Sequence, residues 1–316
     1  MFKFKTPKKE TVTLMSEVLK SKDNENYEKL STDKIKSLTS KENVKITSSG
    51  NNSIFIALSS VEGDIIIPDQ GGWHGFKQIA KFLNKNIITL KTDFGLINTD
   101  YLDELEINNH SALIFTSFAG YTAEQDIENI NRYCKNNGIL TIEDASAGIG
   151  DKYNLGKLSD VILASTGSPK MINVGNGGLI ATNSDEIFKK TSIPQKLSKT
   201  SQIISAGIYS ELKTVEKNLE DTLNATQHIK KCIPNTIHAN KRGVNVIIPH
   251  ENSKPICWNL KKSLTIDKSG FITNCPNYNR IKQKAICIEI KNLAYSCLKK
   301  ENLNKIIDEI NNQLEV

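Results

Sequence analysis

The amino-acid sequence predicts an α/β protein, with a mostly parallel sheet covered by helices followed by a smaller α+β part. Three observations predict it. Apolar runs that read as buried strands alternate with helical spacings from about residue 44 to 182. Asp144, Ser117 and Ser165 fall where such strands end, the edge at which sheets of this kind bind ligands. From about residue 232 the pattern changes to short strands and one final amphipathic helix.

Taken in order, "NVKITSS" reads as a strand, "NNSIFIALSSV" as a helix and "GDIIIP" as a buried strand. "GWHGFKQIAKFLNKN" puts Phe76, Ile79, Ala80 and Leu83 on one helical face, and "IITLKTD" and "SALIFTSF" are the next strands. In "TAEQDIENINRYCKNNG" Ile127, Ile130 and Cys134 share a face, Thr122 and Gln125 have capping-box spacing, and Gly138 is a stop. "ILTIED", "VILAST" and "GLIATN" read as three further strands. Residues 209–231 read as one long amphipathic helix (Leu212, Val215, Leu219, Leu223, Ile229), closed by the proline in "CIPNT". The strands "GVNVIIP", "GFITNC" and "AICIEI" follow, and then a helix aligning Leu303, Ile306, Ile307, Ile310 and Leu314. These divisions predict an N-terminal segment and large domain over 1–208, a connecting helix over 209–231 and a small domain over 232–316.

The bulk numbers exclude more than they identify. A hydrophobic content of 38% over 316 residues builds a proper core. The net charge of +6 is mild for this length, and only Arg132, Arg242 and Arg280 are arginines, so no nucleic-acid footprint is expected. No run approaches the ~18 apolar residues of a membrane span. The start "MFKFKTPKKE" lacks the apolar core of a signal peptide. Six cysteines without a CxxC pair sit in strand-like or helical flanks, which suits buried free thiols and gives no metal site. A cytoplasmic location is the simplest expectation.

"TIEDASAGIG" ends a strand on Asp144, and 26 residues on (170 − 144) "STGSPKMINVGNGG" carries Lys170 ahead of a glycine cluster. Pyridoxal phosphate (PLP) needs a lysine amine, a carboxylate for its pyridine nitrogen, a neutral-donor cup for its phosphate and an aromatic cover. Lys170, Asp144, the "SSGNN" turn with Ser165, and Trp73 supply one candidate each. Each also has a bland alternative: a surface lysine, a helix-capping aspartate, a hairpin turn, a core tryptophan.

Their order resembles the DegT-like sugar aminotransferases, PLP enzymes of fold type I. The resemblance runs over roughly residues 44–183. The family's "SGTAAL"-like phosphate turn is here "SSGNNSIFIAL", which implies Asn51 and Asn52 at the phosphate. "GDEVIVP" followed by an aromatic is here "GDIIIPDQGGWHGF", implying that Trp73 stacks on the ring with His74 as neighbour. "VIEDAAQA" is here "TIEDASAG", making Asp144 the partner of the pyridine nitrogen. "GSFGDIGCFSFHPTKNLTTGEGG" matches "GKLSDVILASTGSPKMINVGNGG", making Lys170 the Schiff-base lysine and Ser165 a phosphate ligand. The family's "NYRLTDLQAA", which reaches into the partner subunit's site, is represented by "SKTSQIISAG" with Lys199 in place of the arginine.

The resemblance thus implies a PLP-dependent aminotransferase, a homodimer that passes an amino group from an amino acid to a keto-sugar or small keto compound. Ala147 stands where the family carries Gln or His, and Asn176 where it carries an acid. Those departures keep two other functions open: lyase- or racemase-type chemistry, with Arg280 either binding a substrate carboxylate or lying on the surface, and a non-catalytic PLP-fold binding protein.

Overall fold

The strand runs of the first two thirds join in one seven-stranded sheet in the computed structural model, which describes residues 1–21, 25–268, 270–277 and 280–314. Helices α1 (Lys9–Lys20) and α2 (Tyr27–Thr39) come first. Then come β1 (Asn43–Thr47), α3 (Gly50–Ser59), β2 (Ile65–Pro68), α4 (Gly75–Phe82), β3 (Ile87–Leu90) and β4 (Ala112–Thr116). A short hairpin of β5 (Phe118–Ala119) and β6 (Ala123–Glu124) leads to α5 (Ile127–Asn136). After it run β7 (Leu140–Asp144), β8 (Val161–Ser165) and β9 (Gly178–Thr182).

The sheet order is β1-β9-β8-β7-β4-β2-β3. Strands β3, β2, β4, β7 and β8 run parallel, and β9 lies antiparallel to both β8 and β1. Because helices cover both faces, Ile65–Pro68 and Ala112–Thr116 are buried throughout, which is why they read as unbroken apolar runs. Neighbouring residues still alternate between faces: Ile66, Leu113 and Phe115 join one core, Ile65, Ile114 and Ile142 the other.

Beyond the sheet lie α6 (Asp185–Lys190), α7 (Ser192–Leu197), α8 (Gln202–Leu212) and α9 (Val215–Cys232). The single helix expected over 209–231 is therefore two, parted at Lys213 and Thr214. Leu212, Val215 and Leu219 are all buried, so the apolar spacing runs on across the break and gives no sign of it. The cap of α5 also differs from the expected capping box. Asp126, not Thr122, accepts the Asn129 N–H (3.2 Å), while Gln125 is held by Ile97 and Gly95. Asp126 stands directly before Ile127, at the N-cap, whereas Thr122 lies four residues earlier between β5 and β6, outside capping reach. Gly138 follows α5 at φ +66, the left-handed turn its identity suggests.

The C-terminal part adds β10 (Val246–Pro249), α10 (Ser253–Ser263), β11 (Ile272–Cys275), β12 (Ala285–Ile288) and α11 (Lys300–Leu314). Its antiparallel sheet has the order β10-β12-β11. Ile229 of α9 and Leu303, Ile306 and Ile310 of α11 share its core. The N-terminal segment packs here too: Phe2 bridges Ile266, and the Lys5 N–H donates to Asn292 (2.8 Å).

Candidate active site

Parallel strands β7 and β8 end side by side, at Asp144 and Ser165, and α3 starts next to them through the Ser48–Ser49 turn. These ends enclose a cavity of about 290 Å³. Ser49, Gly50 and Asn51 line it from the start of α3, Trp73 from the segment before α4, and Tyr121 from the β5–β6 turn. Asp144, Ser146, Ser165, Gly167, Ser168 and Lys170 complete the polar lining.

Each group is held by local chemistry. Asp144 Oδ1 accepts the Ser146 N–H (3.0 Å) and the Ser146 hydroxyl (2.5 Å). The Ser146 hydroxyl in turn accepts the Ser165 N–H (2.8 Å). Ser49 caps α3, its hydroxyl accepting the Asn52 N–H (3.1 Å). Gly50 lies so close to Ser165 that a Cβ on it would meet the Ser165 Cβ at 2.6 Å. The Trp73 indole N–H donates to Asn51 Oδ1 (3.0 Å), tying the aromatic to the helix start. Lys170 is half-buried and takes no hydrogen bond or ion pair among the described residues.

Behind Tyr121 lies a second group of charges. Tyr121 is buried at φ +64, with the Arg280 guanidinium 4.7 Å and the Lys291 Nζ 4.9 Å from its ring centre. Arg280 and Lys291 both pair with Glu289, Arg280 at 2.6 Å. Burial alone would push Glu289 up, but Lys291 and Arg280 carry it well below the usual carboxylate range. Burial brings Lys291 down to about 8 against the pull of Glu289. On the other side of β7, Glu143 is fully buried and accepts from Ser117 (2.6 Å), Gly156 (2.8 Å) and Ser159 (3.1 Å). Burial still pushes it up to about 7.

Of the residues the sequence singles out, Lys170, Asp144, Asn51, Trp73 and Ser165 line this one cavity. Asn52 does not: its amide turns to the Ser48 hydroxyl (2.6 Å), away from the lining. Lys199 is exposed and is also absent from the lining. Arg280 is neither a surface residue nor part of the lining, since it is 4% exposed and paired with Glu289. Sequence reasoning passed over Tyr121 and Ser146. Tyr121 arrives through a left-handed turn with no periodic signature, whereas Ser146, two residues after the acid, was open to an Asx-turn reading.

The profile of the DegT/DnrJ/EryC1/StrS aminotransferase family matches residues 6–218, two thirds of the chain. The chain belongs to this family. Its last part departs from the pattern: residues 216–311 match the MJ1341 family C-terminal domain. The family's fold is borne out by solved structures that align with nearly all of the chain. The Helicobacter pylori aminotransferase PseC, involved in the biosynthesis of pseudoaminic acid, superposes with a TM-score of 0.78 at 15% identity, covering 100% of this chain and 99% of that one. NtdA from Bacillus subtilis, solved with bound cofactor PMP, gives 0.75 at 17% identity, covering 97% of this chain and 81% of that one. The chain is thus a fold-type-I member of the family. Among curated proteins, the UDP-4-amino-4,6-dideoxy-N-acetyl-beta-L-altrosamine transaminase of Helicobacter pylori is 29% identical over 107 residues. The pleiotropic regulatory protein of Geobacillus stearothermophilus is 36% identical over 77. Those stretches take in 31% and 23% of this chain and span only 28% and 21% of the two relatives.

Proposed function

We propose that this chain is a PLP-dependent aminotransferase that moves an amino group from an amino acid to a keto-sugar or small keto compound. The observation that carries the proposal is the opening of Lys170 and Asp144 onto the same cavity, beside the start of α3. The residues present fit the cofactor. An amine without a partner, a carboxylate with one oxygen already held, a hydroxyl and a helix start crowd one space, and glycine at position 50 keeps that helix start close to Ser165.

PLP, when bound, supplies a carbonyl that takes the amino group and a ring that draws electron density from the donor's Cα. The protein does the rest. The start of α3 and the Ser165 hydroxyl would bind the phosphate, since helix-start amides and the helix dipole favour an anion. Asp144, with one oxygen held by Ser146, would keep the proton on the pyridine nitrogen. Trp73, tied to Asn51 and lining the cavity, would cover the ring and exclude water from it. Lys170, whose amine opens onto the cavity, would take the proton from the donor's Cα and return it as general base and acid.

Family membership over residues 6–218 supports this reading, as does the transaminase named among the relatives. We extend it to a homodimer in the cytoplasm. Phe82, Ile193 and Leu197 are exposed on elements packed around α3, an apolar surface that a second copy would cover. Lys199 would then reach the partner's site. The six cysteines are unpaired, which suits a reducing compartment. No helix among the described residues is long and apolar enough to cross a membrane.

The deciding experiment is incubation with PLP, borohydride reduction and peptide mapping. A pyridoxyl group on Lys170 is expected, followed by glutamate-dependent conversion of a keto-sugar panel. Protein that stays unmodified overturns the reading.

A further inference from the structure

Resting on that reading, we propose that Ser146 is a positioning residue, whose hydroxyl aims the Asp144 carboxylate and locks it to the phosphate side of the site. Three bonds meet at this residue. Its N–H and its hydroxyl both donate to Asp144 Oδ1, at 3.0 and 2.5 Å. The same oxygen atom of Ser146 accepts the Ser165 N–H at 2.8 Å. The hydroxyl therefore spans the carboxyl ends of two adjacent parallel strands, joining the acid at the end of β7 to the serine at the end of β8.

Two donors on Oδ1 restrain the carboxylate of Asp144, a residue that lines the cavity, while Oδ2 takes no hydrogen bond among the described residues. Ser146 is 3% and Asp144 8% exposed, so losing one of these bonds leaves a largely buried polar group short of a partner. The position is also distinctive in this chain. In "VIEDAAQA" alanine stands where "TIEDASAG" has Ser146, and the glutamine one place later is Ala147 here.

The hydroxyl is thus the joint between two halves of the site, one for the ring nitrogen and one for the phosphate. Removing it leaves the Ser165 N–H without its acceptor and Asp144 with the single backbone donor. Both halves then loosen together, a coupling that neither Asp144 nor Ser165 would produce if they were held separately.

The test compares wild type, Ser146→Ala and Ser146→Thr by PLP titration, by the pH at which the absorption of bound PLP changes, and by thermal unfolding without cofactor. One charge-assisted hydrogen bond predicts about a tenfold rise in the dissociation constant for PLP in the alanine variant. The pH of the spectral change moves in the same variant, and faster hydrogen exchange appears at the Ser165 amide before any cofactor is added. Threonine, which keeps the hydroxyl, is expected to restore all three. An alanine variant with wild-type PLP affinity and spectrum overturns the proposal, even if its cofactor-free melting point falls, because the bond then serves stability alone. So does an alanine variant that does not fold, or a threonine variant as impaired as alanine. A wild type that takes up no PLP on Lys170 is a different failure: it removes the proposed function, and this role with it.

Discussion

Two groups of charges lie on either side of Tyr121, one buried and one opening onto the cavity, and they solve the same electrostatic problem in opposite ways. In the C-terminal part, Arg280 and Lys291 both close on Glu289, two cations held by one buried carboxylate. In the cavity, Asp144 and Lys170 form no ion pair with each other or with anything else among the described residues. Buried opposite charges that neutralise one another hold a structure together and are spent. A carboxylate and an amine kept apart across a cavity remain available for a ligand that brings complementary groups to both. The difference separates framework from chemistry more sharply than charge count or burial does.

The contrast predicts distinct kinds of failure. Lys170→Ala removes the proposed proton carrier and is expected to cost at least ~10³-fold in transfer rate with the fold intact, read by kinetics and circular dichroism. Glu289→Gln leaves two cations buried without a carboxylate and is expected to cost about 3 kcal/mol of stability by urea unfolding. An unchanged midpoint there would break the comparison, since the paired cluster would then not be framework. Glu143→Gln tests the other face of β7. The folded protein holds Glu143 at about 7 against an ordinary 4.5, so the unfolded chain ionises first. Wild type should therefore lose stability as pH rises from about 4.5 to about 7, by on the order of 3 kcal/mol, and the glutamine variant should show a flatter profile over that window. Asp144→Asn keeps shape and loses charge, and is expected to lower kcat about a hundredfold while leaving the melting point near wild type. Asn52→Ala, off the cavity, is expected to leave PLP affinity within about twofold by titration, the factor at which a lost contact of a few tenths of a kcal/mol becomes visible.

Much of this was legible in the residues because parallel strands buried on both faces leave a strong trace. "IIIP" and "ALIFT" announce themselves, and so does the acid that ends β7. The cavity-lining residues Lys170, Asp144, Trp73, Asn51 and Ser165 could be named from motif order. Their companions could not. Tyr121 reaches the cavity through a left-handed turn, and Arg280 is silenced by a glutamate nine residues on, whose partner no spacing rule identifies. The break between α8 and α9 was hidden because buried leucines and valines keep helical spacing across it.

Local order along the chain determined which segments become strands and helices, and which side chains stand at the carboxyl edge of the sheet. Those follow from periodicity and from backbone preferences a few residues long. Only the packed structure decided which charges are consumed in pairs and which stay open, because that depends on distances of a few ångströms between residues far apart in sequence. Electrostatic energy in a buried, low-dielectric interior turns on those distances, and neighbours along the chain do not reveal them.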